Sequence, residues 1–501
     1  MRRGARILKR VSLYFAVATL GFVVGVVGLY IAWVRGGPPV EVWHTAELAA
    51  EFTTENADDV RSFEDYLQLE QSLFEQLDDT VYAHTRTGPA FDLARYSSGS
   101  SADPRGHVPD WNRSFELPAD QPTGGVLLLH GMSDSPYSLR ALGESLNEHG
   151  YRVVGLRMPG HGTAPSGLTS VRWEDMAAAV RLGMSHLGSV LGSKPIHIAG
   201  YSTGAALALT YVLDCLDGNA APMPASVILI SPAIGVTPAA TLASWKGSLA
   251  RLPGLEKLAW TPILPEFDPY KYNSFAINAG DQVHRLTRSV KGRIERRGTS
   301  APIDDFPPTL AFLSTVDATV SADAVIDNLL EHLAVGRNEL VLFDINRSSV
   351  KSTVLVSDPG PLTERLMASG TLPFHLTLIT NESAESARLV SRRKAPHSAD
   401  SVEEHLSHAW PRGVFSLSHV ALPFPPDDPI YGKRRFASAE FLHLGQMDVQ
   451  GERGLLKFPS DWLLRLRYNP FYDLLETRVI GWLDETGNRS TASSPRDDSQ
   501  E

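Results

Sequence analysis

Eight short apolar runs recur along the chain, most of them separated by stretches of helical periodicity: Val126–Leu129, Arg152–Leu156, Ile196–Ala199, Val227–Ile230, Thr309–Leu313, Glu339–Ile345, Phe374–Ile379 and Val414–Leu417. Helices are expected at 138–149, 172–190, 203–216, 322–333 and 360–369. A strand that is apolar throughout has no face for water and must be covered on both sides. Its alternation with helices predicts an α/β chain with a mainly parallel central sheet. Ligands of such sheets meet the carboxyl ends of the strands, so chemistry is sought there.

At one such end stands Gly200-Tyr201-Ser202-Thr203-Gly204, a G-x-S-x-G pentapeptide. With 40 glycines in 501 residues, roughly 0.2 such matches arise by chance, so the pattern alone says little. The setting decides. The strand run KPIHIA precedes it and the helical run AALALTYVLD follows. A tight strand-to-helix turn needs small flanking residues and leaves the serine oxygen exposed above the sheet. Ser202 is therefore the candidate nucleophile.

A serine hydroxyl needs a base to take its proton and a carboxylate to orient that base. In this setting they follow in the order serine, acid, histidine. Asp317 sits in TLAFLSTVDATV, just past one apolar run, and His419 in VFSLSHVALPF, just past another. Asp317 competes with a helix-capping role. His405 and His408 follow Glu403 and Glu404 in a polar stretch that reads as a surface helix. Asp427 and Asp428 belong to a proline-rich loop and read as structural. Backbone N–H donors must face the oxyanion. Thr203 directly follows the nucleophile, and Met132 lies in the loop after Val126–Leu129. His130 and the Pro159-Gly160-His161-Gly162 turn read as braces.

Taken together, LLLHGMSDSP (126–136), RMPGHGTAP (157–165), VRWEDM (171–176), IAGYSTGAALAL (198–209), LSTVDATV (313–320) and SLSHVALPF (416–424) resemble the α/β-hydrolase superfamily. The resemblance is to its monoglyceride-lipase, carboxylesterase and serine-aminopeptidase-like branch, over about residues 111–425. It implies an α/β-hydrolase fold with a helical cap, a Ser202–Asp317–His419 triad, Met132 and Thr203 as oxyanion donors, and hydrolysis of acyl esters without metal or organic cofactor. One departure stands out. The branch sets acid and histidine one strand apart, whereas several strand candidates intervene here. Residues 346–413 are therefore read as an insertion. The cap is expected at 232–305. Its apolar positions include Leu242, Trp245, Leu249, Leu252, Leu255, Leu258 and Trp260. Trp245, Leu249 and Trp260 are candidates for an acyl pocket, or for the cap's own core.

Two other functions use the same residues differently. An amidase or aminopeptidase would recognise a free amine with cap acids such as Glu256, Glu266 and Asp268. A non-catalytic tethered scaffold would have lost a triad member, and none is missing.

Composition limits the partners. The net charge is −11, which argues against nucleic acid, whose phosphates need clustered Lys and Arg. The single cysteine, Cys215, allows no intrachain disulfide and no structural zinc site. Residues 11–34 carry no charged side chain. About 20 apolar residues cross a bilayer as a helix. Arg2, Arg3, Arg6, Lys9 and Arg10 precede the run and Arg35 follows, so residues 1–10 are expected in the cytoplasm and the rest outside. The run is long for a cleaved leader and ends on Ala32-Trp33-Val34-Arg35, which lacks a small-residue cleavage site. An uncleaved anchor in a bacterial inner membrane, with the catalytic domain on the periplasmic face, is the expectation.

Residues 35–110 form a juxtamembrane segment. A helix is expected over 45–85, packed on the main domain or serving as a stalk, and a linker over 97–110. The hydrolase domain spans 111–485, and the polar tail 486–501 is expected to be disordered. Asn112, Asn346, Asn381 and Asn488 begin N-x-S tripeptides.

Overall fold

The computed structural model describes residues 13–22, 24–26, 28–29, 36–235, 255–317, 319–349, 358–433 and 466–492. Ten strands form one sheet in the order β1-β3-β2-β4-β5-β6-β7-β8-β9-β10. They are β1 Phe115–Leu117, β2 Gly124–Leu129, β3 Tyr151–Leu156, β4 Ile196–Tyr201, β5 Ser226–Ile230, β6 Thr309–Ser314, β7 Glu339–Phe343, β8 His375–Asn381, β9 Arg388–Lys394 and β10 Ser401–Ala409. From β2 to β8 neighbours run parallel. β1 joins β3 antiparallel, and β9 and β10 add an antiparallel ribbon at the other edge.

The apolar runs become central strands because both faces are covered. Leu127, Leu129, Ile198, Leu229, Leu313 and Leu342 enter one core; Val126, Leu128, Ile228, Ile230, Phe312 and Val341 enter the other. That division is the two-residue period of a strand. The first core is closed by α1 Phe63–Thr80, α3 Trp173–Leu191, α4 Thr203–Leu216, α5 Ile277–Gly298, α6 Ala322–Asn328 and α7 Gly360–Ala368. The second is closed by α2 Arg140–Glu148 and α8 Tyr472–Ala492. Each fully buried aliphatic side chain contributes about 1.5–3 kcal/mol.

Several expectations change. The helix foreseen over 45–85 starts only at Phe63, where Ser62 and Asp65 cap each other's amides at 3.1 and 2.9 Å. Before it lie irregular turns, in which Thr54 bonds Asp175. The segment packs on the domain and is no free stalk. Phe52, Phe63 and Tyr66 enter the first core, and Arg157 anchors them: its buried guanidinium bonds Glu70 at 2.9 Å and Glu51 at 2.9 and 3.1 Å. Burial pushes the Glu70 carboxyl up and Arg157 opposes that shift. Breaking a buried pair costs about 3–5 kcal/mol by stranding the remaining charge. Arg157→Leu is expected to lower the chemical-denaturation midpoint accordingly, and an unchanged midpoint would refute this seat.

The stretch 97–110 is also fastened: Asp103 takes Gly99 N–H, and Arg105 lies over the Tyr82 ring. Residues 403–408 lie in strand β10, not in a helix. Val414–Leu417 forms no strand. Of the stretch expected as cap, 277–298 is helix α5, whose Val283, Leu286 and Val290 are buried in the first core. Residues 486–492 continue α8 rather than being disordered, while 493–501 lie outside the described residues. Asn112, Asn346 and Asn381 are buried, so a glycan on any of them would not fit this fold.

Among the described residues no helix is long and apolar enough to cross a membrane. Parts of the 11–34 run lie outside the described residues. Those described are helical, and Leu13, Phe15, Leu20, Phe22, Val24 and Leu29 are exposed.

Candidate active site

Ser202 sits between β4 and α4 with φ 54° and ψ −113°. A side-chain-bearing residue in that region costs on the order of 1–3 kcal/mol and persists only where its surroundings enforce it. Here Ser202 N–H donates to the Ile230 carbonyl at 2.9 Å, and the Ser202 carbonyl accepts from Ala233 N–H at 3.0 Å. Both flanking glycines are sterically required. A Cβ on Gly200 would stand 2.5 Å from the Ala205 nitrogen, and one on Gly204 only 2.1 Å from the Leu129 carbonyl oxygen.

The three residues expected to act together are brought together. His419 Nε2 lies 3.0 Å from Ser202 Oγ, and its Nδ1 lies 2.7 Å from Asp317 Oδ2. The other Asp317 oxygen accepts the amides of Thr319 at 2.8 Å and Val320 at 3.0 Å. Burial works against charge on Asp317. The hydrogen bond and electrostatic attraction from His419 and the two amides outweigh it and hold the carboxyl below its usual value. With Oδ2 accepting, Nδ1 carries a proton and Nε2 is free to accept the serine proton.

Met132 follows β2 and Thr203 opens α4. Among the described residues neither backbone N–H has an acceptor, as donors reserved for a transient oxyanion require. The Met132 loop is braced. His130 Nε2 accepts Met158 N–H at 3.0 Å and its Nδ1 donates to the Gly131 carbonyl at 2.9 Å. Burial holds this ring's pKa well below the usual value, and the nearby His161 adds to that. It is neutral and structural. His161 braces the next turn through the Pro159 carbonyl.

Sequence reasoning missed the outer supports of the loop. Tyr272 N–H donates to the Ser133 carbonyl at 2.8 Å, and Lys271 pairs with Asp134. Their only advance signal was an aromatic and a base in the cap stretch.

The remaining candidates fall elsewhere. Trp245 and Leu249, with Leu242 and Leu252, lie outside the described residues. Trp260 is buried edge-on against His44, with ring centroids 4.9 Å apart, and bridges Ala276. That contact is packing of the kind a cap core makes. Glu266 and Asp268 cannot recognise an amine as foreseen. Glu266 is buried and accepts Asn273 and Ser274 amides, both at 2.8 Å. Asp268 takes Tyr270 and Lys271 amides, the Tyr431 hydroxyl and the Arg467 guanidinium. Asp428 is structural as expected, holding Ile430 and Tyr431 amides and the Tyr137 hydroxyl.

Residues 120–290 match the model of a family described as serine aminopeptidase, S33 (Hydrolase_4). That stretch carries Met132, Ser202 and Thr203 and stops before Asp317 and His419. With this sheet order and this serine turn, the fold is an α/β-hydrolase fold. A thermostable monoacylglycerol lipase from Bacillus sp. (strain H-257) is 30% identical over 140 residues, which cover 27% of this chain and 55% of the lipase. The chain thus spans about half the length of that curated relative. Among solved structures, a monoacylglycerol lipase from Paleococcus ferrophilus is 21% identical with TM-score 0.35, over 46% of this chain and 88% of that one. A soluble variant of monoglyceride lipase from Saccharomyces cerevisiae, in complex with a substrate analog, is 14% identical with TM-score 0.35, over 46% and 82%. Within the α/β-hydrolase core, β6 delivers Asp317 and the chain returning from β10 delivers His419.

Proposed function

We propose that the chain is a membrane-tethered serine hydrolase that cleaves carboxylic esters through an acyl-enzyme. The observation that carries this reading is the continuous hydrogen-bond chain from Ser202 through His419 to Asp317 at the ends of parallel strands. His419 takes the Ser202 proton as the oxygen attacks the carbonyl, and Asp317 stabilises the imidazolium. The tetrahedral oxyanion rests on the Met132 and Thr203 amides. His419 then protonates the leaving alcohol and activates the water that releases the acid.

The ester reading is favoured over an amidase because two of the three cap acids named for an amine, Glu266 and Asp268, are spent on internal partners. The name of the Bacillus relative supports a lipid-derived, acylglycerol-like substrate. The tether is supported by the uncharged 11–34 run and the exposed apolar side chains of its described part, which water does not favour. The basic flank before it points to a cytoplasmic N-terminus and an outward-facing, periplasmic catalytic domain.

The test uses the full-length chain in detergent, with a fluorophosphonate probe and p-nitrophenyl esters from acetate to palmitate. Labelling with ester turnover is expected, and the acyl length with the highest kcat/KM reports the pocket. Labelling without ester turnover would favour the amidase. No labelling of folded protein would favour a scaffold.

A further inference from the structure

In the strand order of this sheet, β7 neighbours the acid-bearing β6, so the chain leaving β7 is beside the site already. It does not deliver the histidine there. It departs after Asn346, builds α7 and the added edge strands β8, β9 and β10, and returns near Val414. The returning segment 414–418 belongs to no strand. No ladder fixes it, yet it ends on His419.

Side chains and one backbone amide do the fixing instead. Asn346 is buried; its N–H donates to the Phe415 carbonyl at 2.7 Å and its Nδ2 to the Val414 carbonyl at 2.8 Å. Asn346 is itself held, its Oδ1 accepting from Ser348 Oγ at 2.7 Å. Ser314, the last residue of β6, donates its buried hydroxyl to the Leu417 carbonyl at 3.0 Å. The Ser314 carbonyl in turn accepts Asp317 N–H at 3.2 Å. One residue therefore fixes both the acid's turn and the histidine's approach. Tyr201, next to Ser202, packs its ring on His419 with centroids 5.3 Å apart.

The closure accounts for the long spacing. Asp317 and His419 are 102 residues apart, and Asn346 and Val414 are 68 apart. Removing the closed excursion leaves 102 − 68 = 34 residues of path.

We propose that Ser314 and Asn346 are positioning residues that set the His419 ring between Ser202 and Asp317. The proposal rests on the triad reading above. A catalytic base displaced by about 1 Å can cost on the order of 10²-fold in rate, while substrate binding, made elsewhere, is spared. Ser314→Ala removes the donor to Leu417. Asn346→Asp keeps the volume and sets an oxygen against the Val414 carbonyl.

The experiment measures kcat and KM of the full-length chain for p-nitrophenyl butyrate in detergent. Both variants are expected to lose kcat by about 10-fold or more with KM within about 2-fold, and Ser314→Thr to restore it. Lys394→Met is the control. It uncaps helix α7, where Lys394 Nζ bonds the Leu366 carbonyl at 2.6 Å, and should lower Tm while sparing kcat. Wild-type kcat in folded Ser314→Ala and Asn346→Asp would overturn the proposal, as would loss of kcat in Lys394→Met equal to theirs. If Asn346→Asp does not fold, the Ser314→Ala and Ser314→Thr pair decides. Ser202→Ala separates the two levels: turnover there refutes the triad reading itself.

Discussion

Ser202→Ala is expected to lower kcat for p-nitrophenyl esters by about 10⁶-fold, the scale on which a triad loses its nucleophile. Folding should be untouched. Alanine keeps the Cβ, so the variant inherits the same strained φ of 54° and the same backbone bonds to Ile230 and Ala233. Ser202→Gly should be equally inactive yet more stable, by roughly 1 kcal/mol, because glycine tolerates positive φ. Paired activity and denaturant-unfolding measurements read both effects. Substantial turnover by folded Ser202→Ala would refute the mechanism. Equal stability of the alanine and glycine variants would refute the strain.

Asp317→Asn is expected to cost about 10⁴-fold in kcat, for a reason local to this site. The oxygen facing Thr319 and Val320 accepts two amides. An asparagine must keep its carbonyl there, which turns its NH₂ group toward His419 Nδ1. Nδ1 then has to accept, the ring proton moves to Nε2, and the ring can no longer receive the Ser202 proton. Stability should change with pH in a defined sense. The folded Asp317 pKa lies below its unfolded value. Its contribution is therefore present above the unfolded pKa, about 3.9, and is lost as pH falls through the folded one. The wild type should lead Asp317→Asn in denaturant midpoint at pH 7, and the gap should narrow in strong acid. A variant with near wild-type kcat would show that Asp317 does not orient the base.

The site was legible where its signals are local. The strand ends, the small residues around Ser202 and the order serine, acid, histidine all reside in short windows. So did the seven parallel strands β2 to β8, because burial on both faces writes an unbroken apolar run. The added edge was not legible. β9 reads RLVSRRK and β10 reads SVEEHLSHA, with too few apolar residues for a period to emerge. Among the described residues β10 pairs only with β9, and it shows most of its side chains to water. The cap acids misled for a different reason. An acid in a surface-looking stretch carries no mark of the backbone amides that will claim it, and Glu266 and Asp268 were claimed. Ser314 and Asn346 were invisible because their partners are carbonyls about 70 to 100 residues away, brought near only by the closed fold.

The Arg157 seat has a consequence for the birth of the chain. Glu51 and Glu70 precede Arg157 by 106 and 87 residues. A ribosome adding roughly 5–20 residues per second releases both carboxylates some 4 to 20 seconds before their guanidinium. For that interval the first helix of the domain is complete in sequence but has no place to dock. The segment around α1 is thus made well before it can settle. It comes to rest only when the third strand arrives and gives its acids a countercharge.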